Sequence, residues 1–149
     1  MPTRTLAEWL RWQESLSPHA VELGLERVGA VLERLDLEPP AGRVVTVAGT
    51  NGKGTTVTLL QDMLLAADRR PGLYTSPHLV HYNERIRICG APVSDAGLVR
   101  AFERIEAVRG DVPLTYFEFG TLAAFGCFAE AHCDTWILEG GGREWACGR

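Results

Sequence analysis

The sequence has few of the features that would tie it to a membrane, a nucleic acid or an oxidising compartment. It contains no apolar run long enough to span a bilayer. Glu8 and Glu14 interrupt the region a secretory signal would need to keep apolar, so neither a signal peptide nor a membrane span is expected. It lacks a basic excess: 15 Lys and Arg against 19 Asp and Glu leave a formal charge of -4, which offers little to a phosphodiester backbone or an anionic lipid surface. Four cysteines, Cys89, Cys127, Cys133 and Cys147, form no CxxC pair. The Cys127/His132/Cys133 group lacks the second half of a zinc site, so the four read as reduced thiols of a cytoplasmic protein. Internal repeats and low-complexity linkers are also missing. What is present is a chain of 149 residues, 46% hydrophobic and 23% charged, enough for one sizeable core and too short for a second domain of ordinary size. Small-molecule partners are therefore expected.

Apolar spacing predicts the elements. Leu6, Trp9, Leu10 and Leu16 suggest a first helix, and Leu25, Val28, Leu32 and Leu35 a second that ends before Pro39-Pro40. Arg43 to Ala48 is a β-branched run with almost no charge, as expected of a central parallel strand covered on both faces. Val57, Leu60, Leu64 and Ala67 set an apolar stripe on the helix that follows from Thr55, and Leu73-Tyr74-Thr75 reads as a second strand. This is a βαβ unit, whose crossover should be right-handed and whose ligand should lie at the C-terminal edge of the strands. Arg85 to Ile88 alternates like a strand with one wet face, and Gly90 turns the chain toward Pro92-Val93. Ser94 is an N-cap for a helix through Leu98, Phe102 and Ile105 to Gly110. A further helix is expected over about Phe119 to Ala131, then a buried strand at Thr135 to Leu138, whereas Gly140 to Arg149 has no periodicity.

Between the first strand and its helix lies the segment that carries chemistry. Polyphosphate is a dense cluster of negative charge, held best by backbone N–H groups at a helix N-terminus and one mobile cation. Gly49, Gly52 and Gly54 permit a tight turn and a close backbone approach, and Lys53 supplies the cation. Thr55 and Thr56 bring hydroxyls to the helix start, where they can cap it or approach a magnesium ion. The usual phosphate loop, G-x-x-x-x-G-K-[ST], would want glycine at Val47 and a hydroxyl at Gly54, so this is a variant.

Val47-Ala48-Gly49-Thr50-Asn51-Gly52-Lys53-Gly54-Thr55-Thr56 resembles the ATP loop of the Mur-ligase-like superfamily. Glu22 to Val28, Tyr74 to Val80 and Leu114 to Thr121 are similar to blocks of one family within it, the bacterial bifunctional dihydrofolate synthases/folylpolyglutamate synthases. The resemblance runs from about Leu6 to Glu139. It implies a phosphate-loop-containing, Rossmann-like α/β domain with a mostly parallel sheet flanked by helices. The activity implied is an ATP-dependent carbon-nitrogen ligase that joins L-glutamate to dihydropteroate and to folate derivatives through an acyl phosphate. Thr50, Asn51, Gly52, Lys53, Gly54 and Thr55 then fall on ATP-contacting positions, Ser76 and Glu139 on magnesium ligands, and Lys53 and Glu139 on the catalytic pair. Glu22, Leu23 and Gly24, with Thr115, Tyr116, Phe117 and Glu118, match positions that contact dihydropteroate. Tyr116 or Phe117 would stack on the flat pterin, and Thr115 or Glu118 would accept its ring donors. His78 and His81 receive no catalytic role. The family suggests a monomer with ATP and Mg2+ as its cofactors, and no nucleic acid or membrane among its partners.

After Glu139 the likeness stops. The family continues roughly E-V-G-L-G-G-R-L-D, whereas this chain reads Glu139-Gly140-Gly141-Gly142-Arg143-Glu144-Trp145 and ends four residues later. Residues 1–139 therefore read as the N-terminal part of the ATP-binding domain, and 140–149 as a non-homologous tail from truncation or a frameshift. By the resemblance, a later histidine metal ligand, a modified lysine and a second domain are missing. Turnover by this chain alone is not expected. A non-catalytic nucleotide-binding fragment and a UDP-muramyl-type amino acid ligase are the alternative readings.

Overall fold

The computed structural model describes residues 3–16 and 25–140. Along the chain run α1 (Leu6–Ser15), α2 (Glu26–Leu35), β1 (Arg43–Ala48), α3 (Lys53–Ala66), β2 (Pro71–Tyr74), a 3-10 turn (Tyr82–Arg85), β3 (Ile86–Ile88), β4 (Ala91–Pro92), α4 (Asp95–Arg109), α5 (Tyr116–Glu130) and β5 (Thr135–Gly140). The sheet order is β1-β5-β2-β3-β4. Strands β1, β5 and β2 are parallel, and β3 and β4 complete the sheet antiparallel. This is the expected α/β class with a mostly parallel sheet.

Side-chain alternation along the strands separates two layers. Leu73 and Ile137 face α3 and pack with Val57. Tyr74, Trp136 and Leu138 face the other way, into a larger core with Phe102 and Ile105 of α4, Phe119, Leu122 and Phe128 of α5, Trp9 of α1 and Val31 of α2. Gly72 keeps that layer tight: a Cβ there would overlap the Phe128 ring. Local signals start the helices. Thr5 and Glu8 form a reciprocal capping box on α1, and the Ser94 hydroxyl accepts from the Gly97 N–H at 3.1 Å to open α4.

Three expectations need correction. β1 is not central: it lies at one edge of the sheet, four of its six residues are exposed, and Val44 is 52% exposed. A β-branched run records that a strand suits two-sided cover, but only β5 and α3 contact it appreciably among the described residues. Within the βαβ unit, β5, far along the chain, pairs between β1 and β2. On α3, Val57, Leu60 and Leu64 pack against the sheet as expected, but Ala67 is exposed and Gln61 is buried in its stead. Helix α5 starts at Tyr116, ahead of the expected Phe119, because Thr115 and Glu118 form a capping box.

Candidate functional site

The parallel strands β1, β5 and β2 bring three segments to one edge. Val47 pairs with Glu139 and Ala48 with Gly140, while Tyr74 pairs with Leu138. Glu139 thus stands at the end of the central strand, with the loop Gly49–Gly52 beyond β1 on one side and Thr75-Ser76 beyond β2 on the other. Neighbouring strands lie about 5 Å apart, so a ligand of a few atoms can touch all three segments.

The phosphate-loop residues are built for close approach. Gly52 is the N-cap of α3 with φ 76°, a left-handed conformation that glycine adopts without strain, and no side chain caps the helix there. The first N–H groups of α3 are consequently open to an anion. Thr50, Asn51, Gly52, Gly54 and Thr55 are exposed, and an added Cβ at Gly52 or Gly54 would meet nothing within 4 Å. Glycine at position 52 answers a backbone demand rather than crowding. Lys53 is half-buried, and its Nζ donates to the Gly140 carbonyl at 3.2 Å, which draws the ammonium over the end of β5. Thr56, expected to cap or to approach a metal, instead donates its hydroxyl to the Gly52 carbonyl at 2.9 Å. Its bond is to the preceding turn.

Ser76 and Glu139 are both half-buried at the ends of adjacent strands. A hydroxyl and a carboxylate are hard oxygen donors, few in number, and leave room for phosphate oxygens and water, which is the donor set a magnesium ion accepts. Among the described residues no cluster of three His, Cys, Asp or Glu could hold a metal without a bound ligand.

The residues assigned to the second substrate divide. Glu22, Leu23 and Gly24 lie outside the described residues. Thr115 and Glu118 perform local work: the Thr115 hydroxyl accepts from the Glu118 N–H at 3.2 Å, and the Glu118 carboxylate accepts from the Thr115 N–H at 3.1 Å. The same carboxylate receives Arg27 of α2 through Nη2 at 3.0 Å and Nε at 3.4 Å, tying α2 to the start of α5. Tyr116 and Phe117 are half-buried; Tyr116 meets the Tyr82 ring edge-on at 5.9 Å between centroids, and Phe117 lies tilted 6.2 Å from Tyr74. The Arg85 guanidinium sits over both Tyr82 and Tyr116, 5.2 and 5.6 Å from their centroids. Burial raises the Tyr116 hydroxyl above its ordinary pKa of 10.0, so it remains a neutral donor and acceptor. Sequence reading missed Arg27, Glu84 and Arg85. The Thr115-x-x-Glu118 spacing was the available signal for the first of these contacts, because it marks a capping carboxylate; His81 and Glu84 stand at the same spacing and form a capping box on the 3-10 turn.

An uncapped helix N-terminus, a lysine and two oxygen donors at the edge of a parallel sheet define a phosphate-loop nucleotide-binding α/β protein. No protein-family model matches the chain. It is 49% identical over 136 residues to a dihydrofolate synthase/folylpolyglutamate synthase of Escherichia coli K12, covering 91% of this chain and 32% of that protein. Among solved structures, the Escherichia coli enzyme in complex with DHPP and ADP superposes with a TM-score of 0.87 at 44% identity, covering 95% of this chain and 34% of that one. The Yersinia pestis bifunctional enzyme complexed with AMPPNP and a Mn ion gives a TM-score of 0.87 at 51% identity, covering 95% and 35%. A further structure of that bifunctional enzyme type, with Mn, AMPPNP and L-glutamate bound, gives 0.85 at 51%, covering 93% and 34%. The chain is a homologue of dihydrofolate synthase/folylpolyglutamate synthase and spans about a third of the length of the relatives it matches.

Proposed function

We propose that this chain is the nucleotide-binding N-terminal part of an ATP-dependent ligase that adds L-glutamate to dihydropteroate and to folyl-polyglutamate. The observation that carries the reading is the convergence of the open α3 N-terminus, Lys53, Ser76 and Glu139 on one sheet edge. Residues 1–139 constitute the homologous part and 140–149 a tail unrelated to it. In the cytoplasm, the chain alone binds nucleotide and does not complete the reaction.

Joining an acid to an amine requires a better leaving group than hydroxide. Transfer of the γ-phosphoryl group of ATP to the substrate carboxylate makes an acyl phosphate; attack by the glutamate amine then forms the amide and releases phosphate. The protein's task in the first step is alignment and neutralisation of phosphate charge. The α3 N–H groups hold the phosphates, with Thr50, Asn51, Gly52, Gly54 and Thr55 lining the loop. Lys53 moves from the Gly140 carbonyl to a phosphate oxygen, exchanging a neutral acceptor for an anionic one. Ser76 and Glu139 are the ligands for Mg2+, which supplies charge neutralisation when bound. Glu22, Leu23 and Gly24 with Thr115, Tyr116, Phe117 and Glu118 form the dihydropteroate side, where Tyr116 and Phe117 offer ring faces and Thr115 and Glu118 fix the helix that presents them.

Calorimetric titration of the 149-residue chain with AMPPNP tests the reading directly. Lys53→Ala should weaken binding by roughly 10- to 100-fold, the loss of one charge-assisted contact, while the circular dichroism spectrum is unchanged. Equal affinity in the variant would remove the phosphate-loop assignment. ATP-dependent phosphate release that needs both dihydropteroate and glutamate, assayed on an intact homologous gene product, distinguishes the ligase from a simple nucleotide hydrolase.

A further inference from the structure

We propose that Glu84 is a positioning residue: its carboxylate gathers the backbone of residues 79–81 and so holds the loop bearing Ser76 in the shape a divalent cation requires. The inference rests on the reading of Ser76 as a metal ligand and deepens it.

The loop from Thr75 to Arg85 is closed at its base by the Thr75 N–H, which donates to the Arg85 carbonyl at 2.9 Å. Between those points it cannot be anchored by apolar burial, because Leu79 is 93% exposed and Val80 72% exposed. Polar ties do that work. Glu84 Oε1 accepts from the Leu79 N–H at 3.0 Å, and Oε2 accepts from the Val80 N–H at 3.2 Å and the His81 N–H at 3.1 Å. Three consecutive amides thus converge on one carboxylate, a concave arrangement whose summed dipoles favour an anion. These bonds, with His81 first, then Leu79 and Val80, hold the carboxyl below its ordinary pKa.

Arg85 provides a second tie. Its Nε donates to His78 Nδ1 at 2.8 Å, a guanidinium being a donor only. Ser76 and Pro77 therefore lie between the end of β2 and a segment already fixed at His78 and at residues 79–81. A hydroxyl is a weak ligand for a divalent cation unless its position is set beforehand, since ordering a free loop would oppose binding. Glu84 supplies that order without reaching the metal itself.

The test separates metal-dependent from metal-independent binding in the 149-residue chain. AMPPNP is titrated with and without Mn2+, and amide hydrogen exchange is followed at residues 79–81. Glu84→Gln keeps the length but loses the charge; it should reduce the affinity gained from Mn2+ by roughly tenfold, accelerate exchange at those amides, and leave metal-free AMPPNP affinity unchanged. Glu84→Asp, which keeps the charge, should recover part of the metal-dependent gain. An undiminished gain in Glu84→Gln overturns the inference, and so does an equal loss with and without Mn2+, which indicates general loosening of the fold. Ser76→Ala distinguishes the two levels: if it abolishes the gain while Glu84→Gln does not, the metal reading stands and the inference falls. If Ser76→Ala has no effect, both fall.

Discussion

At the scale of single residues, chemistry follows burial as closely as it follows residue type. Cys127 and Cys133 are buried thiols, and desolvation pushes both up to about 12, far from the thiolate that attacks electrophiles. Iodoacetamide at pH 8 should therefore leave both unmodified in the folded chain while reaching the half-buried Cys89, with peptide mass spectrometry reading each site. Rapid alkylation of Cys127 under native conditions would contradict the packing described. Lys53 shows the complementary case. Its identity was legible as a cation in a glycine-rich loop, but its bond to the Gly140 carbonyl depends on β5 lying beside β1, which no local pattern announces.

Secondary-structure elements are set by short signals that carry measurable stability. The Thr115/Glu118 capping box starts α5, and Thr115→Ala should cost about 1 kcal/mol in urea unfolding. Glu118→Ala should cost more, about 2 kcal/mol, because it also removes the acceptor that joins Arg27 to this helix. At the start of α1, the Thr5 N–H donates to the Glu8 carboxylate at 2.7 Å, which lowers that carboxyl from its ordinary value of 4.5. A depressed carboxyl favours the folded helix end above its unfolded pKa, and the contribution disappears as pH falls from about that value through the folded one. Amide exchange over residues 5–9 should accordingly rise on acidification before global unfolding begins. The Ser94 cap and the alternation in β3 were readable from the sequence for the same reason: each is decided within four residues. α5 starts ahead of its apolar run because the Thr-x-x-Glu spacing, and not the run, sets its first turn.

For the whole molecule, the open side of the sheet dominates expected behaviour. β1 has β5 on one side and, among the described residues, no strand on the other, and Val44, Leu59 and Met63 are 52%, 57% and 68% exposed. An apolar edge strand of this kind invites pairing with other chains. The isolated chain should self-associate as its concentration rises, and Val44→Lys should weaken that association at least about tenfold in sedimentation analysis without changing nucleotide affinity. The sequence by itself determined the phosphate loop, most helices and strands, and the likeness to dihydrofolate synthase/folylpolyglutamate synthase, since each is written in adjacent residues and fixed by local sterics, capping and periodicity. Tertiary structure alone decided that β5 enters between β1 and β2 and that β1 stands at the edge. Those outcomes depend on contacts between residues distant in the chain, where burial and strand register, rather than local preference, choose the partner.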